Sequence, residues 1–269
     1  MTTTPLLVVE HLTKRFGKGR QEATAVADVS FELGERGSLG IVGESGSGKT
    51  TTARMIIGLE QPSEGRILFR GEDRTHPART VRELRERGRN IQIVFQDPYT
   101  SLDRRQRIGD CLAEVLGVHF RLDREETRKR VRELGELVGL DERQLNALPK
   151  VLSGGQRQRV AIARALAAEP EILILDEAVS ALDVSIQAQI LNLLSDIREE
   201  RGVSYLFISH DLAVIRQVCD DTIVMRHGAV VEHGTTAEVL DHPHHPYTRL
   251  LRDSVPREGW DPSTVSARS

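Results

Sequence analysis

The sequence predicts an α/β fold, and three observations carry that prediction. Short β-branched or aliphatic runs alternate with helical patterns, as in βα units around a largely parallel sheet. The glycine-rich octapeptide Gly43-Glu44-Ser45-Gly46-Ser47-Gly48-Lys49-Thr50 falls between one such run and one such helix, where a phosphate-binding loop belongs. The stretch from Ala25 to Leu33 instead alternates apolar and polar residues, as a half-exposed antiparallel strand does.

Taken in order, residues 5–35 and roughly 60–75 form a small antiparallel lobe on the edge of the core. Ser38 to Val42 reads as a strand entering the glycine-rich loop, and Thr50 to Ile57 as the helix leaving it. Ile91 to Phe95, Ile172 to Leu175, Val203 to Ile208 and Ile223 to Met225 read as further strands. The continuous apolar run Ile172-Leu173-Ile174-Leu175 suits a strand buried on both faces. After it, Ile186, Ile190, Leu193, Leu194 and Ile197 fall on one helical face. From Pro98 to about Arg164 the pattern is helical with no convincing strand, and Val131, Leu134, Leu137 and Val138 stripe the charged segment Asp123 to Leu140. The span from Lys49 to Asp176 is too long for a bare nucleotide-binding core, so a helical insertion fills it. The expected organisation is one domain over 5–255. Its core and antiparallel lobe take 5–97 and 165–240, the helical part 98–164 and a C-terminal extension 241–255. A loosely ordered tail follows over 256–269.

Bulk properties bound the function. At 269 residues the chain suits one α/β domain with an inserted lobe. Apolar residues make up 39% and aromatics only 4%, so the core must be mainly aliphatic. A net charge of -3 lacks the basic footprint of a nucleic-acid binder, so no nucleic-acid partner is expected. Cys111 and Cys219 lie far apart and form no CxxC pair, which argues against a disulfide framework or thiolate metal site and fits a reducing compartment. The N-terminus lacks the basic flank and apolar stretch of a signal peptide, and no apolar run approaches the roughly 20 residues that span a bilayer.

Two motifs carry chemistry on their own terms. Gly43, Gly46 and Gly48 let the chain bend tightly enough to aim backbone N–H groups at one point, where Glu44, Ser45 and Ser47 complete the loop. Lys49 should then reach the β- and γ-phosphates of a nucleotide, and the Thr50 hydroxyl should ligate Mg²⁺, with Thr51 beside it in the first helical turn. Asp176 ends a buried strand, where open α/β sheets place ligand chemistry, and can hold Mg²⁺. Glu177, beside it, can polarise an attacking water as general base.

The pentapeptide Leu152-Ser153-Gly154-Gly155-Gln156, continuing as Arg157-Gln158-Arg159 into a helix, resembles the signature motif of ABC transporter ATP-binding subunits. Loop, signature and acidic strand end also follow one another in that family's order. The resemblance implies an ABC ATPase fold: a P-loop nucleotide-binding core, an edge antiparallel β subdomain and an inserted helical subdomain. Its cofactors would be ATP and Mg²⁺, and its product ADP. It further implies a head-to-tail dimer in which Ser153, Gly154, Gly155 and Gln156 close over ATP held by the other subunit. Gln96, in Val94-Phe95-Gln96-Asp97-Pro98, looks like the Q-loop glutamine that touches Mg²⁺ or the attacking water. Ser180-Ala181-Leu182-Asp183 resembles the D-loop that crosses the dimer interface, and His210 the switch histidine that contacts the γ-phosphate. Phe16 stands where the family places an aromatic against adenine, with phenylalanine in place of the more usual tyrosine. Catalysis would then rest on Glu177, His210, Gln96 and Lys49.

Three stretches look like the oligopeptide/dipeptide importer branch, which also holds nickel and glutathione importers. They are Phe95 to Leu102, Asp176 to Gln189, and His245-Pro246-Tyr247-Thr248. The branch implies a second ATPase subunit (a related partner, or a second copy), two transmembrane permease subunits and an extracytoplasmic solute-binding protein. The chain would then sit on the cytoplasmic face of the cell membrane. No cysteine follows Cys219, so the resemblance is to the ATPase partner without a C-terminal cysteine cluster. Asp103-Arg104 replaces the branch's frequent Asn-Pro in the segment where membrane subunits dock. Prolines 243 and 246 break up His242, His244 and His245, which are not read as a metal tract, and Arg79 to Arg89 reads as a solvated helix face. A non-transport ABC ATPase or an exporter subunit is disfavoured: neither a second ATPase half, a coiled coil nor a fused membrane span is present.

Overall fold

A computed structural model of the chain describes residues 5–17, 19, 22–97 and 102–253. Pro98 to Ser101, within the importer-like stretch, and the expected tail over 256–269 lie outside the described residues. The described strands form two sheets. The smaller has the order β2-β1-β4-β5 and is antiparallel throughout, made by β1 (Leu7–Phe16), β2 (Ala23–Leu33), β4 (Glu64–Phe69) and the short β5 (Glu72–Asp73). The larger has the order β10-β9-β3-β8-β7-β6. In it β3 (Ser38–Val42), β6 (Ile91–Val94), β7 (Ile172–Asp176), β8 (Ser204–Ser209) and β9 (Asp221–Arg226) run parallel, and β10 (Ala229–Thr235) returns antiparallel along β9.

The parallel strands read as continuous apolar runs because both of their faces are covered. Alternate side chains feed two separate cores: Leu173, Leu175, Tyr205 and Phe207 point into one, and Ile172, Ile174, Leu206 and Ile208 into the other. The second core joins the β1–β2 sheet to helix α1 (Lys49–Ile56) through Leu12, Val26, Ala53 and Met55. The first receives the inserted helices. After α2 (Val81–Asn90), which buries nothing, come α3 (Ile108–His119), α4 (Arg124–Leu137), the single turn α5 (Glu142–Leu145) and α6 (Gly154–Leu166). Described residues from 102 to 166 hold no strand. Capping boxes start several helices where the sequence supplies an acceptor followed three residues later by Glu or Gln: Asp123/Glu126 at α4, Ser153/Gln156 at α6, and Thr235/Glu238 at α9 (Thr236–Asp241).

Two differences from the sequence expectation are physical. The strand at Val203 to Ile208 slips by one residue, since Ser204 and Ser209 pair as well as the apolar residues between them. Strand β10 was not expected at all. Its side chains are half-buried or exposed throughout, so it carries neither an apolar run nor a clean alternation, and its pairing to β9 defines it. The carboxyl ends of β3, β7 and β8 are neighbours, which is where an open α/β sheet gathers its chemistry.

Candidate active site

The loop leaving β3 is shaped for an anion. Gly48 has φ +101°, and a Cβ there would lie 2.5 Å from the Ala25 carbonyl oxygen of β2, so only glycine fits. Gly48 also occupies the N-cap of α1, where no side chain caps the helix and no acidic residue stands in the first turn. The starts of α4, α6 and α9 are capped by Asp123, Ser153 and Thr235; here the amides and the positive end of the helix dipole are left for a ligand. The Ser47 hydroxyl is buried beside them without a hydrogen-bond partner, an atom that a ligand oxygen would satisfy. The loop is held from behind, where Gly228 N–H of the β9–β10 turn donates to the Ser47 carbonyl at 3.1 Å. Lys49 spans it, its ammonium donating to the carbonyls of Gly43 at 2.7 Å and Glu44 at 2.8 Å. Burial lowers the Lys49 pKa, against the pull of Glu177, Asp176 and Glu44.

Three acidic and basic groups meet beside the loop. Thr50 Oγ1 donates to Asp176 Oδ1 at 3.1 Å, joining the start of α1 to the end of β7. Burial pushes the Asp176 carboxyl up, opposed by the Thr50 hydroxyl and by Lys49. Glu177 takes the left-handed conformation at φ +53°, a costly state for a side chain other than Gly or Asn, and its N–H donates to the Ile208 carbonyl of β8 at 2.9 Å. That turn brings Glu177 Oε2 to 2.7 Å from His210 Nδ1. The Glu177 side chain is 18% exposed and that of His210 60%, so the carboxylate is sheltered and the imidazole opens toward the surface. Ser180 ties in the last member, its hydroxyl donating to the Glu177 carbonyl at 2.9 Å and accepting from Gln96 Nε2 at 3.3 Å.

Not every expected residue joins this cluster. Ser153 and Gln156 bond each other at the start of α6, 2.8 Å from Ser153 N–H to Gln156 Oε1, and neither bonds the loop of its own chain. Gly155 is pressed against α7 (Val184–Arg201), since a Cβ there would stand 2.5 Å from Ile186 Cγ2. Asp183 caps α7, accepting from Ile186 N–H at 2.9 Å. The segment 180–186 therefore runs from the Gln96–Glu177 contacts to the signature helix. Phe16 ends β1 opposite Ala23, 41% exposed as a residue, with the Lys14 ammonium 4.8 Å from the centre of its ring. Two residues beyond Ala23 is Ala25, whose carbonyl backs Gly48, so Phe16 pairs with the strand that abuts the loop.

Sequence reading missed two participants. Ser180 was seen only as part of a motif. Tyr247, in α10 (Pro246–Asp253), accepts from Glu44 N–H of the loop at 3.0 Å through its phenolic oxygen. Tyr247 likewise stood only within the His-Pro-Tyr-Thr stretch, with its phenolic hydroxyl, a group that needs a partner when buried, as the one hint of its role.

This geometry can bind a polyphosphate and hold a carboxylate near its end. The model of the ABC transporter family matches residues 26–180, more than half of the chain. The chain belongs to the ABC transporter family. A second model, for the C-terminal region of oligopeptide/dipeptide transporters, matches residues 231–266. The chain is 43% identical to the oligopeptide transport ATP-binding protein OppF of Bacillus subtilis, over 97% of this chain and 89% of that protein. It is 44% identical to the di/tripeptide transport ATP-binding protein DppF of Pseudomonas aeruginosa, over 93% of this chain and 77% of that protein. Among solved structures it resembles the dimeric, post-hydrolysis ATP-binding cassette MJ0796 bound to ADP and Pi. The TM-score is 0.77 and the identity 31%, over 86% of this chain and 98% of that one. The fold is thus that of an ABC ATPase cassette. No helix among the described residues is long and apolar enough to cross a membrane.

Proposed function

We propose that this chain is the ATP-hydrolysing subunit of an importer for peptides or a related small solute, acting at the cytoplasmic face of the membrane through separate permease subunits. The observation that carries the reading is the Glu177–His210 contact of 2.7 Å beside an intact P-loop, in a chain whose relatives are named for peptide transport. The partners would be a second ATPase subunit, two permeases and an extracytoplasmic solute-binding protein.

Within that reading the P-loop amides and Lys49 bind the phosphates, and Phe16 stacks on the base. The Thr50 hydroxyl and Asp176 carboxylate are hard oxygen donors suited to Mg²⁺, and the upward push on Asp176 is the kind of strain that a neighbouring cation relieves. Gln96 would complete that set. Bound there, Mg²⁺ supplies charge neutralisation on the β- and γ-oxygens. Glu177 accepts the proton of the attacking water, and His210, fixed by its contact with Glu177, donates to the γ-phosphate from its other ring nitrogen. Ser153 to Gln156 close over nucleotide held by the opposing subunit, and Asp183 crosses the same interface. Val151 and Val184, 70% and 84% exposed and flanking the signature and the D-loop, are apolar groups that such an interface would cover.

The test is an affinity pull-down of the tagged chain from detergent-solubilised native membranes. Recovery of two permeases, a second ATPase and a solute-binding protein supports the importer. Recovery of soluble partners alone would overturn the transport reading and leave the ATPase chemistry intact.

A further inference from the structure

The C-terminal segment reaches the nucleotide site through one contact that catalysis itself does not call for. Tyr247 is 3% exposed, and its hydroxyl accepts from Glu44 N–H, the second residue of the P-loop, at 3.0 Å across 203 residues of sequence. The ring is oriented from both sides. The Arg226 guanidinium of β9 stands 4.8 Å from its centroid, and Tyr247 N–H donates to His245 Nδ1 at 3.1 Å. The turn that presents it is anchored to β10, because the Glu232 carboxylate accepts from His244 N–H at 2.7 Å and His245 N–H at 3.1 Å. Arg249 closes the turn on its other side, donating to the carbonyls of Pro243 at 3.0 Å and His244 at 3.2 Å. The His-Pro-Tyr-Thr sequence thus builds a rigid bracket whose tip is a phenol bonded to the P-loop.

We infer that Tyr247 is a positioning residue for the P-loop, setting nucleotide affinity from the C-terminal segment. This rests on the P-loop being the nucleotide site. Glu44 N–H lies at the mouth of the loop, where Glu44, Ser45 and Gly46 are exposed while Ser47 to Lys49 are buried, with Ser47 held by Gly228 of the β9–β10 turn and Gly48 close against Ala25 of β2. The Lys49 ammonium ties the Gly43 and Glu44 carbonyls from inside, and Tyr247 ties the same peptide from outside. The amides that receive the phosphates are preorganised to the extent that this outer half is fixed, and preorganisation is paid back as affinity.

The test uses the full chain and compares Mg-ATP and ADP binding by fluorescence titration for the wild type, Tyr247→Phe, Glu232→Ala and the double variant. Tyr247→Phe keeps the ring under Arg226 and removes only the hydroxyl. It should weaken ATP and ADP alike by about 3- to 10-fold, the worth of one hydrogen bond, and raise KM for ATP by more than it lowers kcat. Glu232→Ala, which loosens the bracket, should weaken binding in the wild-type background and add little in the Tyr247→Phe background. A general loss of stability would not give that non-additivity. Wild-type affinity in Tyr247→Phe, or fully additive losses in the double variant, would overturn the inference. Failure of the wild type to bind either nucleotide would instead overturn the reading of the site.

Discussion

At Asp176 the chain holds a carboxylate where water cannot solvate it, with one hydroxyl and a nearby ammonium as compensation. Its folded pKa lies above the ordinary 3.8, so its contribution to stability is fully present below pH 3.8 and is lost as pH rises through the folded value. At neutral pH the ionised group therefore destabilises the nucleotide-free chain. Asp176→Asn should raise the Tm at pH 7.5 by about 2–4 °C for each kcal/mol relieved, with the gain shrinking toward pH 4. Scanning calorimetry at both pH values checks this, and an equal gain at both would contradict the assignment. The same substitution should abolish the Mg²⁺-dependent part of ATP binding, as expected of stability given up for function. At this scale much was legible in the sequence. Lys49, Asp176 and Glu177 are the residue types, next to those strand ends, that the proposed chemistry requires. The Glu44–Tyr247 bond was not legible, because nothing local in either segment specifies a partner so remote.

At the scale of elements, the signature helix α6 and α7 pack at a distance that only glycine at 155 allows, with a Cβ there 2.5 Å from Ile186 Cγ2. Gly155→Ala should destabilise the chain by about 1–3 kcal/mol through overpacking. Adding Ile186→Ala should recover part of the loss, so the double variant is more stable than the sum of the single ones predicts. Equilibrium urea denaturation of the four proteins measures this, and strict additivity would show that the two helices do not press on each other there. The buried strands were readable because apolar residues run through both faces, as in Ile172-Leu173-Ile174-Leu175. Strand β10 was not, since a half-buried antiparallel edge leaves no such pattern. The helical insertion was readable from the Val131–Val138 stripe, of which Val131 and Val138 are buried and Leu134 and Leu137 pack against the same core.

For the whole molecule, the proposed site is divided between two subunits. The glycine-rich loop, Asp176, Glu177 and His210 gather at the carboxyl ends of the central strands β3, β7 and β8, whereas Ser153 to Gln156 turn their hydrogen bonds on themselves. The segment 180–186 links the two parts, and with exposed Val151 and Val184 it makes the signature end a surface suited to an opposing cassette. That division was expected from the family resemblance alone, because spacing and motif order say nothing about which chain completes which site. It follows that loss of the proposed general base, Glu177, should stop this chain's own half-site without preventing assembly. The direct measurement is ATP binding, ATP hydrolysis and peptide uptake by the complete transporter in lipid vesicles, with Glu177→Gln introduced in this chain alone. Assembly and ATP binding should be retained, turnover at this half-site should fall about 100-fold or more, and ATP-driven uptake should be lost. Wild-type hydrolysis and uptake with Glu177→Gln in place would contradict the proposed role.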